Sequence, residues 1–462
     1  MNQIDCCLYL INYEKIDVFI MGNFMNVFSL ISDYMLFGLS IFILAGSIFI
    51  SFKTGFIQLR FLPKLLKALR ASKQDQKEGS HTIPPFKALF TAMSTTLGIG
   101  TIVGPIIAIR WGGPGALLGF ILTAFFGSAA TYLEVVLSVK YRQRLPSGQI
   151  LGGPMQYLKH IISPGAAKWY AIFGCILMSA WSATQANQLV SILASPLLGK
   201  YNIPSLLSAG VVSITIFIIL MGGIKRISSI SSKLIPPMFI IYMVSICFIL
   251  FSNIDKFGTV FHTIFQSAFS PYAMASGALV GGVISALRWG VFKGTYATEA
   301  GVGTQAIPHS MAETNDPNTQ GILAMFSTFT AGFVSFLSGF VALITDTWQD
   351  PGLPLGISMV AASFKIYFSY IGVAMVLVIT FLFAFGTILG NSYNGSQCFL
   401  YLTAPKKIKY YYAGTALTIF LGSLLETKTI WSLIDFGLIF LVVPHMAALI
   451  LSMYKQPKIA HA

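Results

Sequence analysis

The chain has 462 residues, of which 55% are hydrophobic and only 10% charged, and its mean hydropathy is +0.76. This composition excludes a soluble globular protein and leaves a polytopic, all-α membrane protein that needs a lipid bilayer. The formal net charge of +14 does not mark a nucleic-acid binder, because the basic residues lie between apolar runs, the pattern that orients membrane helices.

Residues 1–32 place Asp5, Glu14, Lys15 and Asp17 among short apolar stretches. They lack the basic start, uniform apolar centre and small-residue cleavage site of a signal peptide, and are expected to form an N-terminal tail. Eleven runs then approach the ~20 apolar residues that a helix needs to cross a bilayer core. They lie near 34–52, 88–110, 113–139, 169–193, 204–224, 234–253, 265–292, 320–345, 364–390, 410–425 and 429–453. The first, within 33–53, reads as a leading helix. The segment 54–87 reads as a cytoplasmic loop: from residue 53 on, Lys53, Arg60, Lys64, Lys67, Arg70, Lys73, Lys77 and Lys87 face only Asp75 and Glu78. Alternation puts Lys140, Arg142, Arg144, Lys159, Lys225, Arg226, Lys233, Lys406, Lys407 and Lys409 on the same side. The N-terminus is therefore expected outside, and the tail 454–462, with Lys455 and Lys458, inside.

Two runs carry glycines where a membrane helix should be unbroken. One is Leu97-Gly98-Ile99-Gly100-Thr101-Ile102-Val103-Gly104; the other is Gly277-Ala278-Leu279-Val280-Gly281-Gly282. Glycine weakens helix, and unwound backbone at membrane depth survives only where it lines a polar cavity or packs inside protein. With the leading helix set aside, the breaks open two sets of five helices, 88–253 and 254–453. Five being odd, the sets cross in opposite senses, which makes an inverted repeat. The plainer role for Gly100 and Gly104 is close helix packing. Gly119, in the unbroken third run, is the matching control.

Arg288 and Lys293 are expected at the cytoplasmic interface, since charge is costly at the bilayer centre. That assigns the second break to Gly277, Gly281 and Gly282, and makes Glu299 an inner-gate or helix-cap residue. Gln185 and Asn187 are amides at membrane depth and need partners. Glu134 is expected to snorkel toward Lys140 and Arg142, and Asp435 to cap or pair near the outer end of the last helix. His309 and His445 stand alone and do not suggest a metal site. Cys6, Cys7, Cys175, Cys247 and Cys398 read as membrane thiols.

The segment FKALFTAMSTTLGIGTIVGPIIAIRWGGPGALLGFILTAFFGSAATYLEVVLSVKYR at 86–142 resembles the sodium:alanine/glycine symporter family. So do GGPMQYL at 152–158, Gln185-Ala186-Asn187, EAGVG at 299–303 followed by AIPHSMAET, and FAFGTILG at 383–390. The resemblance covers most of 35–450 and implies a leucine-transporter-type fold, a 5+5 repeat with one leading helix. It implies uptake of a small neutral amino acid, alanine or glycine, with Na⁺ by alternating access across a bacterial inner membrane. No enzyme activity or cofactor is implied; H⁺ coupling, altered specificity and an ion channel are the alternatives. The implied substrate residues are Gly98, Gly100, Thr101, Gly104, Gln185, the glycines of the second break and Asn391. The implied Na⁺ ligands are Thr387 with backbone carbonyls near Thr95 and Gly98. Departures from the family are Gly98-Ile99-Gly100-Thr101 for the usual GTGN, Gly386 for a serine beside Thr387, and His445 for an asparagine after Pro444.

Overall fold

The computed structural model describes residues 35–74, 82–144, 150–195, 203–269, 286–314, 316–403 and 405–456. The expected break at glycines 277–282 and the tail 1–32 lie outside these described residues. Helices account for most of the rest: α1 (Met35–Lys53), α2 (Phe61–Gln74), α3 (Pro85–Thr96), α4 (Ile99–Gly112), α5 (Ala116–Tyr141), α6 (Pro154–Ile161), α7 (Pro164–Leu193), α8 (Ser205–Leu220), α9 (Gly223–Phe251) and α10 (Phe257–Phe269). A π-helical turn, Ala286–Val291, leads into α11 (Phe292–Thr298), followed by α12 (Ala306–Ser310), α13 (Pro317–Thr345), α14 (Ile357–Leu402), α15 (Ile408–Ser423) and α16 (Thr427–Lys455). Among the described residues, seven stretches are long and apolar enough to cross a membrane: α1, α3 with α4, α5, most of α9, α13, α14 and α16.

Burial separates the centre of the bundle from its rim. The apolar window of α3–α4 is 100% buried, whereas that of α9 is 39% buried. On α9, Ile240, Val244, Phe248 and Phe251 are exposed, and on α8 so are Leu207, Val211, Ile214 and Ile218. These spacings put each set on one helix face. Such faces would be an unsustainable apolar patch in water and are solvated by lipid tails in a bilayer. α14 lies along α7, and α13 along α5, enclosing α3–α4.

Several boundaries differ from the sequence reading. The 54–87 loop contains α2, which buries Leu65 and Ala68 and exposes Lys67, Arg70, Leu62 and Leu66. An amphipathic helix of this kind lies along a membrane interface. α9 starts at Gly223 and runs through Pro236 and Pro237, so Lys233 belongs to a helix rather than a loop. Of the run 265–292, the described residues are those of α10 up to Phe269 and the helical segment from Ala286 on. α14 is kinked at Ser369 (φ 53°, ψ −138°). The premise about Lys293 also fails. Its ammonium is fully buried and bonds both carboxylate oxygens of Asp435 at 2.9 and 2.7 Å, with the Trp431 ring 4.6 Å away. Pairing, not an aqueous interface, accommodates the charge. Arg288 stacks over the Trp289 ring at 4.9 Å.

Gly119 is a crossing point and not a neutral control. A Cβ there would stand 2.3 Å from the carbonyl carbon of Gly290 and 2.5 Å from the Val291 nitrogen, whereas at Gly104 it would meet nothing within 4 Å. Gly119→Ala is expected to destabilise the protein by about 1–3 kcal/mol, the usual cost of overpacking, and Gly104→Ala, inside α4 with room for a Cβ, to raise stability by about 0.5–1 kcal/mol. Thermal unfolding of the two variants in detergent checks this.

Candidate substrate and ion site

The chain between α3 and α4 leaves helical geometry at Leu97 (φ −85°, ψ 69°) and Gly98 (φ −109°, ψ −175°). The break is shorter than the 98–104 unwinding expected, and Gly100, Thr101 and Gly104 lie within α4. Its two helix ends point at each other, so the carbonyl end of α3 carries partial negative charge and the N–H end of α4 partial positive charge. Gln185 of α7 accepts from the Ile99 N–H at 2.9 Å, and the Thr101 hydroxyl donates to the Gly98 carbonyl at 2.5 Å.

The second break in the described residues is Glu299–Gln305, between α11 and α12. Glu299 has φ 54°, and Gly301 and Gly303 have φ 73° and 93°, values that glycine adopts readily and glutamate rarely. This segment is buried in the bundle: Glu299 is 2% exposed, and Ala300 and Val302 are 0%. Glu299 therefore lies beside the first break, as the C-cap residue of α11. Its carboxylate accepts from the Thr95 hydroxyl at 3.0 Å and from the Thr304 hydroxyl. Three carbonyls at the break accept from side chains. Gln305 donates to the Thr298 carbonyl at 3.0 Å, Tyr170 to that of Val302 at 2.9 Å and Asn394 to that of Thr304 at 3.2 Å.

Between the two breaks is a cavity of ≈ 10 Å³, walled by Thr95, Thr96, Gly98, Gly100, Thr101, Trp181, Gln185, Tyr296, Ala297, Glu299, Thr387 and Asn391. One water needs about that much room, so a larger ligand enters only when the lining groups move. Thr387 Oγ1 and Asn391 Oδ1 are buried here with no hydrogen-bond partner among the described residues. Buried oxygens in this state are costly unless something binds them. Together with the Thr95 hydroxyl, the Glu299 carboxylate and carbonyls at the end of α3, they form the all-oxygen donor set that a hard monovalent cation requires.

A family model described as the sodium:alanine symporter family matches residues 21–459. The chain belongs to that family. The sodium/alanine symporter AgcS of Methanococcus maripaludis is 33% identical over 420 residues, 89% of this chain and 90% of that one. The probable sodium/glutamine symporter GlnT of Bacillus subtilis is 28% identical, over 89% of this chain and 85% of its own. Among solved structures, MhsT in complex with L-phenylalanine matches with a TM-score of 0.55 at 15% identity, covering 81% of this chain and 90% of that one; the fold, of leucine-transporter type, is shared. As a family member the chain is a multi-pass membrane protein of Na⁺-coupled amino-acid symport and not an enzyme.

Within this family member, the structure brings Thr95, Gly98, Gly100, Thr101, Gln185, Glu299, Thr387 and Asn391 around one cavity. Gly104 is not among its walls. Asn187 is structural: its amide donates to the carbonyls of Gly422, Ser423 and Leu425 at 3.2, 3.3 and 2.7 Å, capping the end of α15. Glu134 does not snorkel. It is 0% exposed and accepts from the Gly303 N–H at 3.2 Å. Tyr296 and Trp181 escaped the sequence reading, yet helical spacing carried a signal for both. Trp181 stands four residues before Gln185, and Tyr296 three before Glu299, on shared helix faces.

A Cβ at Gly98 would meet Thr387 Oγ1 at 2.6 Å and Gln185 Oε1 at 3.2 Å. Gly98→Ala is expected to lower amino-acid binding by at least about tenfold, roughly 1.4 kcal/mol or more. Equilibrium binding to the purified variant, with thermal unfolding as the check on folding, measures it.

Proposed function

We propose that the chain takes up a small neutral amino acid, alanine or glycine, together with Na⁺. The observation that carries this reading is the meeting of two helix breaks around buried oxygens, Thr387 Oγ1 and Asn391 Oδ1, that lack partners among the described residues. An amino acid's carboxylate suits the N–H end of α4, and its ammonium suits the carboxylate of Glu299. Na⁺ fits beside Thr387 and Thr95 against the carbonyl end of α3, close enough to share the substrate carboxylate. Trp181 and Tyr296, packed edge to face with ring centroids 5.3 Å apart, leave little room for a side chain, which favours alanine or glycine over larger substrates.

On this reading the architecture is eleven spans, a leading helix followed by inverted five-helix units over 88–253 and 254–453. The N-terminus is outside and the C-terminus inside a bacterial plasma membrane. Basic residues between the spans support that orientation. Alternating access then rocks the two broken helices against α5, α7 and α14, with Glu299 acting at the gate.

Uptake of labelled alanine, glycine and glutamine into proteoliposomes under an imposed Na⁺ gradient tests the reading. Alanine or glycine uptake that collapses without Na⁺ is expected; uptake indifferent to Na⁺ overturns it. Thr387→Ala should raise the half-saturating Na⁺ concentration by about tenfold, more than it changes amino-acid affinity at saturating Na⁺. Gly386→Ser should lower that concentration, since a Cβ at Gly386 has room, with Ser94 Cβ 3.9 Å away.

A further inference from the structure

A second polar cluster grips the other face of the Glu299–Gln305 break. His445 of α16 faces the Gly301 carbonyl at 2.7 Å through Nδ1, and Tyr157 of α6 contacts its Nε2. A carbonyl only accepts, so Nδ1 carries the hydrogen, and in the neutral ring Nε2 accepts from the Tyr157 hydroxyl. Glu134 Oε2 stands 4.0 Å from that Nε2 while accepting from the Gly303 N–H at 3.2 Å. Glu134 Oε1 is buried with no hydrogen-bond partner among the described residues.

Two ionisable groups are a costly way to hold a carbonyl and an N–H, since asparagine and glutamine would serve both without charge. Glu134 and His445 are each 0% exposed. The titratable groups nearest them are Tyr157, Tyr170 of α7, Cys398 of α14 and Glu299 in the break itself. His309 of α12 is engaged with Gln320 at 2.5 Å. Among the described residues, Glu134 has no lysine or arginine within ion-pair distance. A carboxylate so placed is balanced by a proton, either on the carboxyl itself or on His445 Nε2, which stands 4.0 Å from Oε2. Moving the proton to Nε2 makes the ring an imidazolium, turns the Tyr157 hydroxyl away and draws the ring toward Glu134.

We propose that Glu134 and His445 form a proton-binding site that acts on the Gly301–Gly303 backbone, so that a proton bound from water on one side is released to water on the other during the amino-acid cycle. The site is separate from the Lys293–Asp435 pair. Asp435 and His445 are ten residues apart on α16, roughly 15 Å along the helix. The inference rests on the symport reading above and adds a second coupling ion at residues outside the Na⁺ site.

The test uses the full chain in proteoliposomes, with labelled alanine uptake and an entrapped pH-sensitive dye read together at clamped voltage. Wild-type uptake is expected to acidify the lumen. The ratio of protons to alanine should fall by at least tenfold in Glu134→Gln and His445→Asn and stay unchanged in Glu313→Gln, an acid in the loop after α12. Affinity for alanine, measured on purified protein from about pH 5 to about pH 9, should change about tenfold in wild type and lie flat in Glu134→Gln, a readout available even where a variant does not transport. Na⁺-driven uptake with no acidification and a flat pH profile overturns the proton site while leaving Na⁺ symport standing. Acidification that accompanies uptake indifferent to Na⁺ retains the proton site and retires Na⁺ coupling. An unchanged proton ratio in both variants removes Glu134 and His445 from the proton path.

Discussion

The structure depends on one constraint: backbone N–H and C=O groups freed inside a membrane protein must find partners within the protein. Breaking two helices at the centre of the bundle frees such groups twice. Gln185 satisfies the N–H at the first break. At the second, Gln305, Tyr170, Asn394, His445 and Glu134 hold four carbonyls and one N–H. The buried amides, tyrosine, histidine and glutamate of α5, α7, α14 and α16 are therefore placed by the breaks. Thr387 Oγ1, Asn391 Oδ1 and the Tyr296 hydroxyl at the crossing have no hydrogen-bond partner among the described residues.

The same constraint explains why the site is narrow. Side chains of neighbouring helices press against the backbone and leave glycine where a Cβ would collide, at Gly98 against Thr387, at Gly100 against the Tyr296 ring and at Gly390 against Thr95. The two broken helices are also laced at their far ends, where Ile83 exchanges backbone hydrogen bonds with Met311 and Glu313 at 3.1 and 2.9 Å. A buried Lys293–Asp435 pair ties α11 to α16 on one side of Glu299, and the Glu134–His445 cluster holds it on the other. Removing one partner of a buried ion pair such as Lys293–Asp435 typically costs about 3–5 kcal/mol.

Much of this was legible in the residues. Apolar runs gave the long helices, because lipid rewards uniform hydrophobicity over a fixed length. The first break announced itself through Gly98 and Gly100, and Gln185 through the cost of an amide at membrane depth. The break at Glu299–Gln305 was passed over for a physical reason. Lys293 was treated as a charge in need of water, which turned the reading toward Gly277, but Asp435, distant in sequence, pairs with it in the interior. A charge pair between remote helices leaves no local pattern. Glu134 was misjudged the same way: Lys140 and Arg142 are its neighbours in sequence, whereas its partner, the Gly303 N–H, comes from the break between α11 and α12. Gly119 looked unconstrained because its contact, Gly290, is also a glycine far along the chain.

The most direct test of the central claim, that the crossing of the two breaks holds the amino acid with a cation beside it, is an experimental structure of the protein with alanine and Tl⁺, an anomalous scatterer that stands in for Na⁺. The account predicts alanine density between the start of α4 and Glu299, and an anomalous peak next to Thr387 Oγ1 at the carbonyl end of α3. Alanine bound elsewhere, or a Tl⁺ peak away from Thr387, would contradict it.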